Sequence, residues 1–136
     1  MILTADPRMI FPAVEDHGLT WPSRYFSFWM IASIAKAQAS STPLSANLAW
    51  LASEIKEHAI EDIQCSSPKL IVSQIYKKSH QIAPDKFRMT EFFRSNGDFA
   101  DYLKANYQLT KTTKEFEIYE RKTEAVKPGP ACTLIY

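Results

Sequence analysis

The sequence predicts a small α/β protein, with a mixed sheet of about four or five strands and helices packed on it in a single domain. Its 136 residues suit one hydrophobic core. Hydrophobic residues make up 46% and charged residues 23%, which is typical of a folded globular chain. A long helical pattern also leads directly into a dense apolar strand pattern, as in the second half of a βαβ crossover. We expect residues 1–124 to form the compact domain and residues 125–136 to form a C-terminal tail.

Two short extended elements are predicted at the N-terminus. Residues 2–5 are apolar and predict a strand, and the pair Asp6-Pro7 ends it because this pair favours a turn. Residues 9–14 form a second apolar run. Pro12 lies within that run and has no N–H for a sheet ladder, so we expect an edge strand or a loop there.

A buried helix is predicted next. Residues 15–18 predict a turn, and Pro22 followed by Ser23 then predicts a helix start at which Ser23 is the cap. The apolar spacing continues this helix, with Phe26 and Trp29 among the residues of its buried side.

The clearest helix covers residues 44–63. Apolar side chains recur there at three- and four-residue steps, as in a helix with one buried face: Leu44, Leu48, Leu51, Ala52, Ile55, Ala59 and Ile63. Residues 65–68 stop this helix because they contain two serines and a proline. Residues 69–76 then have the β-branched and apolar content of an interior strand.

The C-terminal third predicts a surface loop, two short helices and a hairpin. We expect the loop over residues 77–88, then a helix capped by Thr90 and a second helix capped by Asp98. Two strand patterns follow at residues 107–113 and 115–121. Apolar and polar residues alternate in the second pattern, which is typical of a hairpin or a sheet edge.

In residues 6–24, acidic, basic and hydroxyl-containing side chains occur beside aromatic ones. The ligand-binding candidates are Asp6, His17, Trp21, Ser23 and Arg24. Loops at strand ends bind ligands in open α/β sheets, and Arg24 at a helix start is suited to an anionic group. The structural alternative is that Asp6 ends a strand and Ser23 caps a helix. In that case Arg24 pairs with a neighbouring carboxylate and Trp21 fills the core, and both interpretations stay open at this point.

The sequence contains no recognisable catalytic, metal-binding or cofactor-binding motif. A serine nucleophile elbow is missing, and three glycines in the whole chain do not supply a phosphate loop. His17 has no second histidine or cysteine at ligand spacing. Glu54, Glu57 and His58 lack the two-histidine zinc pattern, so we assign them to a charged outer face. We therefore expect no catalytic residue, no metal and no cofactor.

The charge, the cysteines and the hydropathy of the chain limit the partners and surroundings that the sequence predicts. A net charge of +1 without a basic block argues against nucleic acid. Cys65 and Cys132 lie far apart, and we favour two unbridged thiols over a disulfide. The most apolar stretch, residues 25–35, is shorter than the roughly 20 residues of a membrane span, so we expect no membrane insertion by this chain. The N-terminal residues lack the pattern of a signal peptide.

A series of short motifs runs through most of residues 1–121. After the opening strand it consists of Phe11-Pro12, Trp21-Pro22-Ser23-Arg24, Trp29, Pro68-Lys69-Leu70-Ile71-Val72, Phe92-Phe93, Phe99, Tyr102-Leu103, Tyr107 and Phe116-Glu117-Ile118-Tyr119-Glu120-Arg121. This order resembles the soluble C-terminal domain of certain bacterial polytopic membrane proteins related to the C-type glycosyltransferases, which use lipid-linked sugars.

The resemblance implies a non-catalytic accessory or binding domain, because the acidic catalytic residues of such enzymes lie on loops of the membrane part. It implies a location at the periplasmic face of the inner membrane, beside the transmembrane portion of a parent protein. A glycan or a lipid-linked sugar is the ligand that it implies. Two alternatives remain: a stand-alone soluble enzyme of the cytoplasm with a pocket formed by residues 6–24, and a protein-interaction module that uses an aromatic surface.

Overall fold

A four-stranded mixed sheet organises the chain. The computed structural model describes residues 1–19, 21–40, 43–76 and 87–123. Within them the strands are β1 (Ile2–Leu3), β2 (Leu70–Gln74), β3 (Tyr107–Thr112) and β4 (Phe116–Arg121). Their order in the sheet is β1-β2-β4-β3; β1 is parallel to β2, and the other two pairs are antiparallel. The predicted α/β class and mixed sheet are confirmed.

Five α-helices of the described residues occupy the connections between strands. They are α1 (Phe11–His17), α2 (Ile31–Ala39), α3 (Ala46–Ser66), α4 (Met89–Arg94) and α5 (Gly97–Asn106). The first three lie between the parallel strands β1 and β2, as a crossover connection requires. The sequence therefore identified the second half of this crossover correctly.

The core lies between the helices and one face of the sheet. Leu3, Ile71 and Tyr119 contribute to it from three strands, and Ile55 and Phe93 contribute from α3 and α4. Ile55 and Phe93 are fully buried. Removing a side chain of this size from water stabilises the fold by about 1.5–3 kcal/mol. Apolar burial thus fixes α3 against the sheet.

Within the apolar run over residues 9–14, Met9 ends a 3-10 turn and residues 11–14 belong to α1, so the prediction of an edge strand or loop there is wrong. Pro12 lies in the first turn of α1. The N–H groups of a first turn have no acceptor within the helix, so the N–H that proline lacks is not missed there. Gly18 ends α1 in the left-handed conformation with φ 57°, which glycine adopts without steric cost. The same proline that weakens a strand is therefore compatible with this helix.

The second helix begins at Ile31, and residues 21–30, hereafter the connecting segment, are irregular. The predicted helix start at Ser23 is therefore wrong. The Phe28 N–H donates to the Thr4 carbonyl at 2.9 Å, and this contact with the end of β1 holds the segment in a non-helical path. A local sequence pattern does not contain this contact between distant residues.

The long helix α3 is confirmed and has a defined cap at each end. The Ser45 side chain accepts a hydrogen bond from the Leu48 N–H at 3.3 Å. Ser67 follows the helix in the left-handed conformation with φ 41°, and its N–H donates to the Ile63 carbonyl. These caps agree with the serine-containing stop that the sequence predicts after this helix.

Two predicted helix caps are wrong, although both helices exist. Thr90 lies inside α4, and its hydroxyl donates to Ser73 Oγ at 2.6 Å. Asn96, not Asp98, caps α5, because Asn96 Oδ1 accepts a hydrogen bond from the Phe99 N–H at 3.0 Å. Asp98 lies in the first turn, where the helix dipole favours a negative charge.

The hairpin of β3 and β4 is confirmed, with β3 at the sheet edge and β4 between β2 and β3. Most of the expected loop over residues 77–88 lies outside the described residues, and so does the expected tail over residues 125–136.

Candidate functional site

The connecting segment lies on α3, and contacts near both of its ends give it a defined shape. Phe28 is fully buried, and its ring packs edge-on against Phe93 with centroids 5.0 Å apart. At the other end, Trp21 Nε1 donates to the Tyr25 carbonyl at 2.9 Å and so closes a turn within the segment. Residues 21–30 therefore have a defined shape without regular secondary structure.

Asp62 of α3 is the centre of the polar contacts. Its carboxylate is fully buried. Oδ2 accepts hydrogen bonds from the Ser23 hydroxyl at 3.0 Å and from the Arg24 N–H at 2.9 Å. Oδ1 accepts from Arg24 Nε at 2.9 Å. A buried carboxylate is costly unless it is paired and hydrogen-bonded, and these three donors meet that requirement.

The guanidinium of Arg24 is shared between two carboxylates. In addition to Asp62, its Nη2 donates to Glu61 Oε2 at 2.8 Å. Burial by itself lowers the pKa of Arg24, but hydrogen bonds and charge from Asp62 and Glu61 raise it above its ordinary value. These contacts match the structural alternative, in which Arg24 pairs with a carboxylate.

A second polar contact joins the segment to α3 one turn earlier. The Tyr25 hydroxyl lies 2.6 Å from His58 Nδ1, and His58 Nε2 lies 3.7 Å from Glu54 Oε2. Burial is the main cause that raises the pKa of Tyr25. Glu57 is exposed as predicted, but His58 is partly covered by the connecting segment. The predicted outer face is therefore present at Glu57 and partly covered at His58.

The five predicted site residues occupy different surroundings. Ser23 and Arg24 meet at Asp62, and Trp21 belongs to the same segment. Asp6 accepts hydrogen bonds from the Arg8 backbone and side chain, and it caps the 3-10 turn Pro7–Met9. His17 is exposed in the last turn of α1.

Asp62 was missed by sequence reasoning, although the pattern of α3 contains a signal for it. It follows the apolar positions Ile55 and Ala59 by seven and three residues, which places it on the buried side of the helix. An acidic residue at such a position needs a partner. The sequence does not show which basic residue is the partner of Asp62.

Two aromatic side chains of the connecting segment face the solvent. Trp29 is 65% exposed and Phe26 is 45% exposed, whereas Phe28 between them is fully buried. We call Phe26 and Trp29 the aromatic surface. The prediction that both lie on the buried side of a helix is wrong, because the segment is irregular here and buries Ser27 and Phe28 between these two exposed residues. A further tryptophan, Trp50 of α3, is 63% exposed.

A cleft of about 660 Å³ lies between α3 and α5. Four carboxylates are among the residues that line it: Glu57, Glu61, Asp98 and Asp101. The arginine contact of Glu61 connects one wall of this cleft to the connecting segment. Sequence reasoning did not bring these acidic residues together, because they come from helices that are far apart in the chain.

Cys65, near the end of α3, is disulfide-bonded, so the expectation of an unbridged thiol is wrong at this position. The chain has one other cysteine, Cys132, which lies outside the described residues. Cysteine spacing in the sequence did not indicate this bond, because a disulfide depends on distance in the fold.

The described residues include no helix that is both long and apolar enough to cross a membrane. In the same part of the chain, no three histidine, cysteine, aspartate or glutamate side chains are grouped as metal ligands. No protein-family model matches the chain, and the comparisons with curated proteins and with solved structures found no match.

Proposed function

We propose that this chain is a non-catalytic accessory or binding domain that works beside the membrane-embedded portion of a glycosyltransferase-like protein that uses lipid-linked sugars. The observation that carries the proposal is the connecting segment, which is fixed to α3 by buried polar contacts and yet presents Phe26 and Trp29 to the solvent. The same segment contains two of the motifs on which the family resemblance depends, Trp21-Pro22-Ser23-Arg24 and Trp29.

A fixed aromatic surface is suited to binding. Tryptophan supplies a large contact area with few rotatable bonds, and it is enriched at protein interfaces and at membrane–water boundaries. Because Ser23, Arg24 and Phe28 already hold the backbone in place, Trp29 loses little conformational freedom when it meets a partner. The expected partner is the transmembrane portion of the parent protein, with a glycan or lipid-linked sugar at or near the contact.

The polar contacts favour a binding role over a catalytic one. Ser23 and Arg24 supply the hydroxyl and the guanidinium of the predicted site, and both are hydrogen-bonded to Asp62. A guanidinium already shared by two carboxylates is poorly placed to bind a substrate anion. This arrangement supports the accessory domain rather than the alternative of a stand-alone enzyme.

The disulfide at Cys65 supports an extracytoplasmic location. Disulfides persist in oxidising compartments such as the periplasm and are rare in the cytoplasm. A periplasmic location agrees with the resemblance, in which the domain lies on the outer side of the inner membrane.

The proposal is tested by Trp29→Ala in the full-length parent protein, with Trp50→Ala as the matched control. Both tryptophans are about two-thirds exposed, so neither change should alter the melting temperature of the domain. We expect Trp29→Ala to reduce sugar transfer from a lipid-linked donor about fivefold or more, as truncation of an interface aromatic does. We expect Trp50→Ala to leave transfer unchanged. Equal activities of the two variants would contradict the role of the aromatic surface.

The sequence of the natural gene around this chain provides an independent test. The proposal requires several apolar stretches of roughly 20 residues in the same reading frame. A reading frame without such stretches would overturn the assignment to a membrane-embedded parent. Cross-linking from position 29 would then identify a soluble partner, as the interaction-module alternative expects.

A further inference from the structure

We draw no further inference here: the strongest candidate, the cleft between α3 and α5 that Glu57, Glu61, Asp98 and Asp101 line, is a cluster of acidic side chains for which nothing else in the described residues indicates a ligand.

Discussion

Two arginine–aspartate pairs lie in the N-terminal part of the molecule, and their surroundings differ. Arg8 and Asp6 are two residues apart, and their side chains are 88% and 20% exposed. Arg24 and Asp62 are 38 residues apart, and their side chains are 34% and 0% exposed. The two pairs have nearly equal N–O distances of 2.8 and 2.9 Å. Distance alone therefore does not distinguish them.

The difference between the pairs lies in what happens when one partner is removed. Water replaces the lost partner at an exposed pair, so such pairs contribute at most about 1 kcal/mol. A fully buried carboxylate has no water to replace its partner, and its charge is then uncompensated. The pair at Asp62 also joins a connecting segment to a distant helix, whereas the pair at Asp6 shapes a local turn. The two sites should respond differently to matched substitutions.

The largest effect is expected from Arg24→Ala. This change removes the guanidinium and leaves the Asp62 carboxylate buried with its charge unpaired. We expect the free energy of unfolding to fall by about 3–5 kcal/mol, as measured by urea denaturation. Glu61→Gln is the control, because Glu61 contacts the same guanidinium from an exposed position; it should cost about 1 kcal/mol or less. Equal losses for the two variants would mean that the buried pair is not the stronger one.

Ser23→Ala tests the hydroxyl contribution at the same site. The change removes one of the three donors to Asp62, and we expect a loss of about 1 kcal/mol in the free energy of unfolding. Ser27→Ala is the matched control, because Ser27 is also buried but its hydroxyl has no hydrogen-bond partner among the described residues. That variant should be neutral or slightly stabilising, since it removes an unsatisfied polar group. A larger loss for Ser27→Ala than for Ser23→Ala would contradict the contact assigned to Asp62.

Asp6→Ala tests the local pair. The change removes the cap of the 3-10 turn and the two side-chain contacts to Arg8. We expect a loss of about 0.5–1 kcal/mol, which is the usual contribution of a cap, and chemical denaturation measures it. Arg8→Ala should produce no measurable change, since that side chain lies in water. A loss for Asp6→Ala as large as that for Arg24→Ala would remove the contrast between the two sites.

The smallest effect concerns the pH dependence of Tyr25. Its pKa in the folded protein is raised above the ordinary value of 10.0, mainly by burial. The neutral hydroxyl is therefore favoured by folding; this contribution is complete below pH 10.0 and is lost as the pH rises through the folded-state pKa.

Tyr25→Phe removes that ionisation and should flatten the decline in stability that begins as the pH rises above 10.0. Tyr76, Tyr107 and Tyr119 also have raised pKa values and ionise in both proteins, so the difference between the two urea-denaturation series isolates Tyr25. Identical slopes for the two proteins would mean that folding does not change the pKa of Tyr25.

The periodicity of apolar residues correctly predicted the helices and strands whose apolar side chains are also the buried ones in the fold. The apolar stripe of α3 and the dense apolar run of β2 are local properties of the chain, and both elements form where the pattern places them. The pattern failed at residues 9–14 and at Ser23. Pro12 is compatible with two local structures, and only the position of α1 in the fold selects one of them.

The candidate site was predictable only in part, because its central residue comes from another element. Ser23 and Arg24 were identified from their residue types, but Asp62 lies on a helix that begins more than twenty residues later. The exposure of Trp29 was not predictable either. It depends on the contact between Phe28 and Thr4, which keeps the segment out of a helical conformation.

The amino-acid sequence by itself determined the class of this protein and its main elements, because helix and strand periods are encoded by neighbouring residues. Its α/β class, long helix and C-terminal hairpin follow from those periods. Only the tertiary structure decided that Arg24 pairs with Asp62 and that Trp29 faces the solvent. The physical reason is that burial and pairing depend on which distant residues the fold brings together, and local periodicity carries no information about those contacts.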